Sequence, residues 1–115
     1  MSNAVSLHPY FRVQPGKIDA FRDLCTTFIK RTATESACLY YGFSFDDDVV
    51  FCREAYTDAE GLLAHLANVG ELVEQALQIS ELERLEVHGP ADELAKLREP
   101  LAELNPAFFT YECGL

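Results

Sequence analysis

Residues 37–66, "ACLYYGFSFDDDVVFCREAYTDAEGLLAHL", hold two aromatic-rich runs, an acidic break and the start of an apolar helix. The runs 37–45 and 49–56 are rich in aromatic and β-branched side chains, and Asp46, Asp47 and Asp48 between them read as a hairpin turn. A three-residue loop sets Phe45 against Val49 and Phe43 against Phe51, apolar to apolar. A two-residue loop sets Phe45 against Asp48 and mismatches every later pair. A slip of one residue reverses the faces, so the three-residue loop is expected. Asp at its last position is tolerable, because Asp visits left-handed conformations more readily than most residues. In that register Val49, Phe51, Arg53 and Ala55 share the apolar face, with Tyr41 opposite Arg53. Val50, Cys52, Glu54 and Tyr56 face the other way.

Thr57 and Glu60 then form a T-x-x-E capping box that starts a helix. Leu62, Leu66 and Val69 form its apolar stripe, flanked by Leu63. After Gly70 the pattern resumes with Leu72, Val73, Ala76 and Leu77, so one long bent helix or two short ones fit. Upstream, residues 4–13, "AVSLHPYFRV", alternate with period two and read as a strand, with Pro9 predicting an edge-like or bulged section. Pro15 and Gly16 turn the chain into a helix whose Ile18, Phe21, Cys25, Phe28 and Ile29 recur at helical spacing. Downstream, residues 81–89 read as a strand with Leu85 and Val87 inward. Leu94, Leu97, Leu101 and Leu104 stripe a helix that Pro100 should kink or split, and residues 105–115 close with a short aromatic strand. The order β-α-β-β-α-β-α-β predicts one domain over 1–115, with a core at 4–89 and an extra helix and strand at 90–115. Its first six elements are the split β-α-β of a ferredoxin-like α+β fold, an antiparallel sheet with helices on one face.

Nineteen acids against nine bases give a formal charge of −10, which repels phosphate backbones and argues against a nucleic-acid partner. No apolar run approaches a membrane span, and "MSNAVS" lacks a signal-peptide pattern. Cys25, Cys38, Cys52 and Cys113 are widely spaced in apolar contexts, which predicts reduced thiols, no metal site and a cytoplasmic protein. The second sheet face has to be covered or left wet. Its expected members, including His8, Tyr10, Arg12, Tyr40, Glu54 and Tyr56, are neither greasy nor fully charged. Tyr and His, apolar in body and polar at the tip, suit a face buried against a partner, and a homodimer packing sheet on sheet is expected. Glu54 and Arg12 are candidates for one of its ion pairs.

"VQPGKIDAFRDL", "ACLYYGF" and "REAYTDAEGLLAHL" resemble the antibiotic biosynthesis monooxygenase-type domain of the dimeric α/β-barrel superfamily, over residues 4–89. The resemblance implies a dimer whose paired sheets close a barrel, each subunit with a small pocket between sheet and helices. It also implies a possible cofactor-independent oxidation of a quinol or phenol by dioxygen. Other members of the family degrade haem. The chain has no Trp, which haem-degrading members use, and Gly70 stands where "A-H-x-x-x-x-H" places a second His, so a haem role is disfavoured.

The candidate catalytic residues are His65 and Arg53. His65 lies about a quarter turn from the Leu62/Leu66/Val69 stripe at 3.6 residues per turn, a rim position within reach of a pocket. Arg53 on the apolar face is costly unless paired. With Tyr41, Phe51 and Leu62 as substrate-binding candidates, the set offers a cation for an oxyanion, a phenol to orient it and an imidazole as base. His8, Tyr10, Tyr40, Glu54 and Tyr56 are the expected dimer interface. No cofactor and no metal are expected. A small aromatic or quinol-like ligand is, and the alternative is a non-catalytic binding or accessory dimer.

Overall fold

A computed structural model of the chain describes residues 2–115. It contains β1 (Val5–Val13), α1 (Ile18–Thr32), β2 (Cys38–Asp46), β3 (Val49–Tyr56), α2 (Ala59–Ile79), β4 (Ser80–Gly89), α3 (Ala91–Leu97), a 3-10 turn (Ala102–Leu104) and β5 (Ala107–Thr110). The sheet runs β2-β3-β1-β4-β5, antiparallel except for the β4–β5 pair. This is the α+β, ferredoxin-like architecture expected, with a fifth strand added beside β4. Strand β1 is central, and the bulge that Pro9 predicts appears as a register shift against β4 between Tyr10 and Phe11.

The hairpin departs from the expected register. Asp46 stays in the ladder opposite Val49, so Phe45 meets Val50 and Phe43 meets Cys52. The turn is only Asp47 and Asp48, and Asp47 adopts a left-handed φ of 51°. The Asp48 carbonyl accepts the Val13 N–H at 2.7 Å, and its carboxylate accepts the Arg12 guanidinium, so β1 holds the shorter turn in place. Every side chain of β3 therefore points opposite to expectation. Val50, Cys52, Glu54 and Tyr56 face the helices, while Phe51 and Arg53 face outward. The strand fills the core better this way, since Val50, Cys52 and Tyr56 are each at most 1 % exposed.

Helix α1 buries Phe21, Cys25, Phe28 and Thr32 at spacings of four, three and four. Helix α2 is one continuous helix that buries Leu62, His65, Val69, Leu72 and Ala76. His65 thus lies in the middle of the buried face rather than at its rim. The cap is Asp58, whose side chain accepts the Gly61 N–H at 2.8 Å; the Thr57–Glu60 box does not form. A Cβ at Gly61 would stand 2.7 Å from that of Ala37, so only glycine lets the first turn of α2 approach the start of β2 this closely. Glu93 of α3 accepts the Ala59 N–H at 2.9 Å and so caps α2 from the appended segment. Helix α3 stops before Pro100, and the chain returns through the 3-10 turn.

The core falls into two clusters. One joins Val5, Leu7, Tyr56, Leu62, Val87, Leu94 and Leu97. The other joins Val13, Phe21, Phe28, Val50, Val69 and Leu72.

Candidate functional site

At the seam between the clusters is a cavity of about 60 Å³. Its wall is aromatic toward α1 and β2, with Phe21, Phe28 and Phe43. It is aliphatic toward α2, β4 and the 3-10 turn, with Leu66, Val73, Leu77, Leu82, Leu101 and Leu104. Leu77, partly exposed, marks where it nears the surface. The polar side chains of the lining are Tyr41, Cys52, Glu54 and His65; no Lys or Arg is among them.

These groups come from separate elements and meet for physical reasons. Tyr41 and Glu54 are cross-strand partners on the inward face of the hairpin, and Leu7 of β1 lies opposite Glu54 on its other side. Glu54 and Tyr56 are two apart on one strand, so they share a face, and the Tyr56 hydroxyl donates to Glu54 Oε1 at 2.6 Å. His65 reaches them from one turn beyond the tight start of α2. Its ring lies between those of Tyr41 and Tyr56, with centroids 5.2 and 5.0 Å away. His65 Nδ1 is 2.9 Å from Glu35 Oε2, and Nε2 is 3.5 Å from Glu54 Oε1. Asn68, three residues after His65, donates to Glu35 Oε2 at 2.8 Å and to the Arg31 carbonyl at 3.0 Å.

Burial and hydrogen bonding set the protonation states. Burial raises the Glu54 carboxyl from an ordinary 4.5 to about 7; hydrogen bonds from Tyr56 and Cys52 oppose the rise and the charge of Glu35 adds to it. Burial lowers His65, against the pull of its Glu35 hydrogen bond. Burial also raises Tyr41, Cys52 and Tyr56, which stay neutral at ordinary pH. Glu35 Oε2 accepts the Asn68 amide and lies nearer to His65 Nδ1 than Glu54 does to Nε2, an arrangement that suits a proton on Nδ1 and a lone pair on Nε2 facing Glu54. The result is an acid and a base side by side at the wall of a mainly apolar chamber.

The sequence-derived candidates divide sharply. His65 and Tyr41 line the cavity. Arg53 does not: it is exposed on the outer face and stacks on Tyr40 at 4.0 Å. Phe51 is also on the outer face, against Tyr10 and His8. Leu62 is fully buried in the first cluster and is not part of the lining. Of the expected interface residues, His8, Tyr10 and Tyr40 are on the outer face, while Glu54 and Tyr56 are sealed inside the subunit. Arg12 pairs with Asp48 and Glu83 rather than Glu54. Glu54, Glu35 and Asn68 were not in the candidate site. Glu54 was assigned to the wrong face by the hairpin register, and Glu35 comes from a connection with no motif. A His followed three residues later by Asn on one helix face was the remaining signal.

Among the described residues, no group of three or more His, Cys, Asp or Glu is arranged to hold a metal ion. A second, wider groove, about 700 Å³, runs past Leu39, Tyr40, Ala55, His88 and Tyr111 at one end of the outer face. It holds no ionisable group as deeply buried as Glu54. No helix of the described residues is long and apolar enough to cross a membrane.

A model of the family described as antibiotic biosynthesis monooxygenase matches residues 4–76. Among solved structures, MupZ from Pseudomonas fluorescens is similar at 45 % identity and a TM-score of 0.94, covering 98 % of this chain and 93 % of its own. Rv0793 from Mycobacterium tuberculosis shares the fold at 23 % identity and a TM-score of 0.67, over 78 % of this chain and 97 % of its own. A protein from Chloroflexus aurantiacus, titled a putative antibiotic biosynthesis monooxygenase, does so at 19 % and 0.63, over 76 % and 93 %. No curated protein matches the chain.

Proposed function

The chain belongs to the antibiotic biosynthesis monooxygenase family, and on that premise we propose that it is an enzyme transferring a proton to or from an uncharged, mainly apolar small molecule. The observation that carries this reading is Glu54, a fully buried carboxyl with a pKa of about 7 beside the His65 imidazole, at the wall of an apolar cavity. A general acid or base works best when its pKa matches the working pH, and burial is the usual means of raising a carboxyl to that value.

In the oxidative form, which the family's monooxygenases support, the substrate is a phenol or quinol. Glu54 or His65 removes its proton, and the electron-rich anion passes electrons to dioxygen. One oxygen atom joins a substrate carbon and the other leaves as water, with all four electrons coming from the substrate. No cofactor is needed for that balance. A second form, an isomerisation or elimination without dioxygen, is favoured by the charge of the wall. The wall carries one carboxyl group, Glu54, and no Lys or Arg, so it stabilises a developing anion poorly. A neutral substrate that exchanges one proton for another suits such a wall better.

The test compares the wild type with Glu54→Gln on a panel of hydroquinones and enolisable ketones. Oxygen uptake and deuterium incorporation from heavy water are the two readouts. The variant is expected to lose about 10²–10⁴-fold in whichever the wild type performs, the typical share of general acid–base catalysis. An unimpaired variant overturns the reading. A wild type inert on both readouts but stabilised by a panel member leaves the binding dimer, since binding alone raises stability.

Family members are commonly dimeric, and the outer face supports a homodimer here. His8, Tyr10, Tyr40, Phe51 and Phe109 present partly exposed aromatic surface across the sheet. The four free cysteines are compatible with a cytoplasmic setting.

A further inference from the structure

Glu54 has a difficulty that its own burial creates. Its side chain is 4 % exposed and His65 beside it 3 %, so neither meets bulk water. A group that gives or takes a proton once per turnover must be reset from somewhere. The next residue outward is Glu35, in the connection between α1 and β2, with 10 % of its side chain exposed. Glu35 is therefore the most exposed of Glu54, His65 and Glu35, and the contacts along that line are 3.5 Å and 2.9 Å.

We propose that Glu35 and His65 form a relay that returns protons between Glu54 and solvent, with Glu35 as its outer proton carrier and as the group that selects the resting imidazole tautomer. The inference rests on the acid–base reading of Glu54. In one passage, a protonated Glu54 gives its proton to His65 Nε2 while the Nδ1 proton moves to the Glu35 carboxylate. One proton leaves Glu54 and one arrives at Glu35, so the imidazole stays neutral and ends as the other tautomer. Glu35 then releases its proton to water. The next transfer in the opposite direction restores the first tautomer, so a cycle that alternates gain and loss resets itself.

Three further observations support it. Asn68 donates to Glu35 Oε2 and anchors on the Arg31 carbonyl, holding the carboxylate against the ring. The Glu35 N–H donates to the Thr32 carbonyl at 2.9 Å, fixing the backbone at the end of α1. The rings of Tyr41 and Tyr56 confine the imidazole on both sides. The titratable groups around His65 and its two carboxyl partners are Glu35 from the connection, Cys38 and Tyr41 from β2, and Cys52, Glu54 and Tyr56 from β3. Burial keeps the phenols and the two thiols neutral, so the two carboxyls are its exchange partners.

The test reads the protein itself and needs no substrate. Imidazole-¹⁵N-labelled wild type is expected to show His65 protonated at Nδ1 and bare at Nε2 near pH 8, with a slowly exchanging Nδ1 proton. In Glu35→Gln, whose amide can donate as well as accept, that slow signal is lost and the Nε2-protonated form appears. Asn68→Ala, milder, keeps the tautomer but speeds exchange of the Nδ1 proton. A wild type protonated at Nε2, or a Glu35→Gln spectrum matching the wild type in a folded variant, overturns the relay. Turnover then separates the two claims. If Glu54→Gln is inactive and Glu35→Gln retains the wild-type rate and pH profile, the relay fails and the acid–base reading stands. If Glu54→Gln is fully active, the reading fails whatever the tautomer.

Discussion

The two faces of strand β3 are made from adjacent residues and behave as different materials. Inward, Cys52, Glu54 and Tyr56 are at most 3 % exposed, and the Tyr56 hydroxyl is bound to the Glu54 carboxyl. Outward, Arg53 lies exposed over Tyr40, and Phe51 leans on Tyr10 and His8 in partly wet surroundings. The same carboxyl moved one residue back, to the exposed position of Arg53, would be an ordinary solvated acid. Chemistry here is a property of the side of the sheet, through dielectric and access to water, more than of residue type.

That contrast can be broken by measurement, beginning with the largest effect. Phe21→Ala opens a cavity under the inward face, where the ring is fully buried, and should cost about 3–5 kcal/mol in urea unfolding. A loss below 1 kcal/mol would mean that the inward face is no tighter than the outward one. Next comes Glu54. Its folded pKa is raised above its unfolded value, so the folded state binds the proton more tightly. Stability is therefore full below about 4.5 and falls as pH rises toward and past about 7. A shift of that size is worth about 3 kcal/mol. Subtracting the profile of Glu54→Gln, which cannot ionise, should isolate that decline; parallel profiles would refute the buried-acid assignment. The smallest effect is expected outside. Arg53→Ala removes an exposed cation–π contact, should cost about 0.5–1 kcal/mol or less, and should leave turnover intact. If the outer face pairs two copies, sedimentation of Tyr10→Ala and Arg53→Ala should show weaker self-association at unchanged monomer fold. A monomeric wild type at micromolar concentration would remove the dimer.

Much of the fold was legible because periodicity survives without its context. The alternation of β1, the helices α1 and α2 and the break before Pro100 appear as read, although Ile29 of the α1 stripe is exposed and the buried face of α2 is centred on His65 rather than Leu66. The hairpin failed at a single residue. Asp46 looks like turn material, yet it pairs with Val49, and the turn is anchored by Arg12 and Val13 of a strand over thirty residues away. A register held by a distant strand cannot be weighed from the local run. Since side-chain direction alternates, that one-residue error exchanged Arg53 for Glu54 and Phe51 for Cys52. His65 was identifiable from its helix and its motif. Its partners were not, because Glu35 is thirty residues away and the contact exists only once α2 packs on the end of α1.

The matched family model stops at residue 76, yet the segment after β4 also shapes the chamber. Leu101 and Leu104 complete its aliphatic wall, and Glu93 satisfies the backbone at the start of the helix that carries His65. The C-terminal extension therefore ties the choice of guest to the footing of the imidazole. Changes in residues 90–104 can retune what is admitted and how the ring is held, without touching a single group that moves a proton.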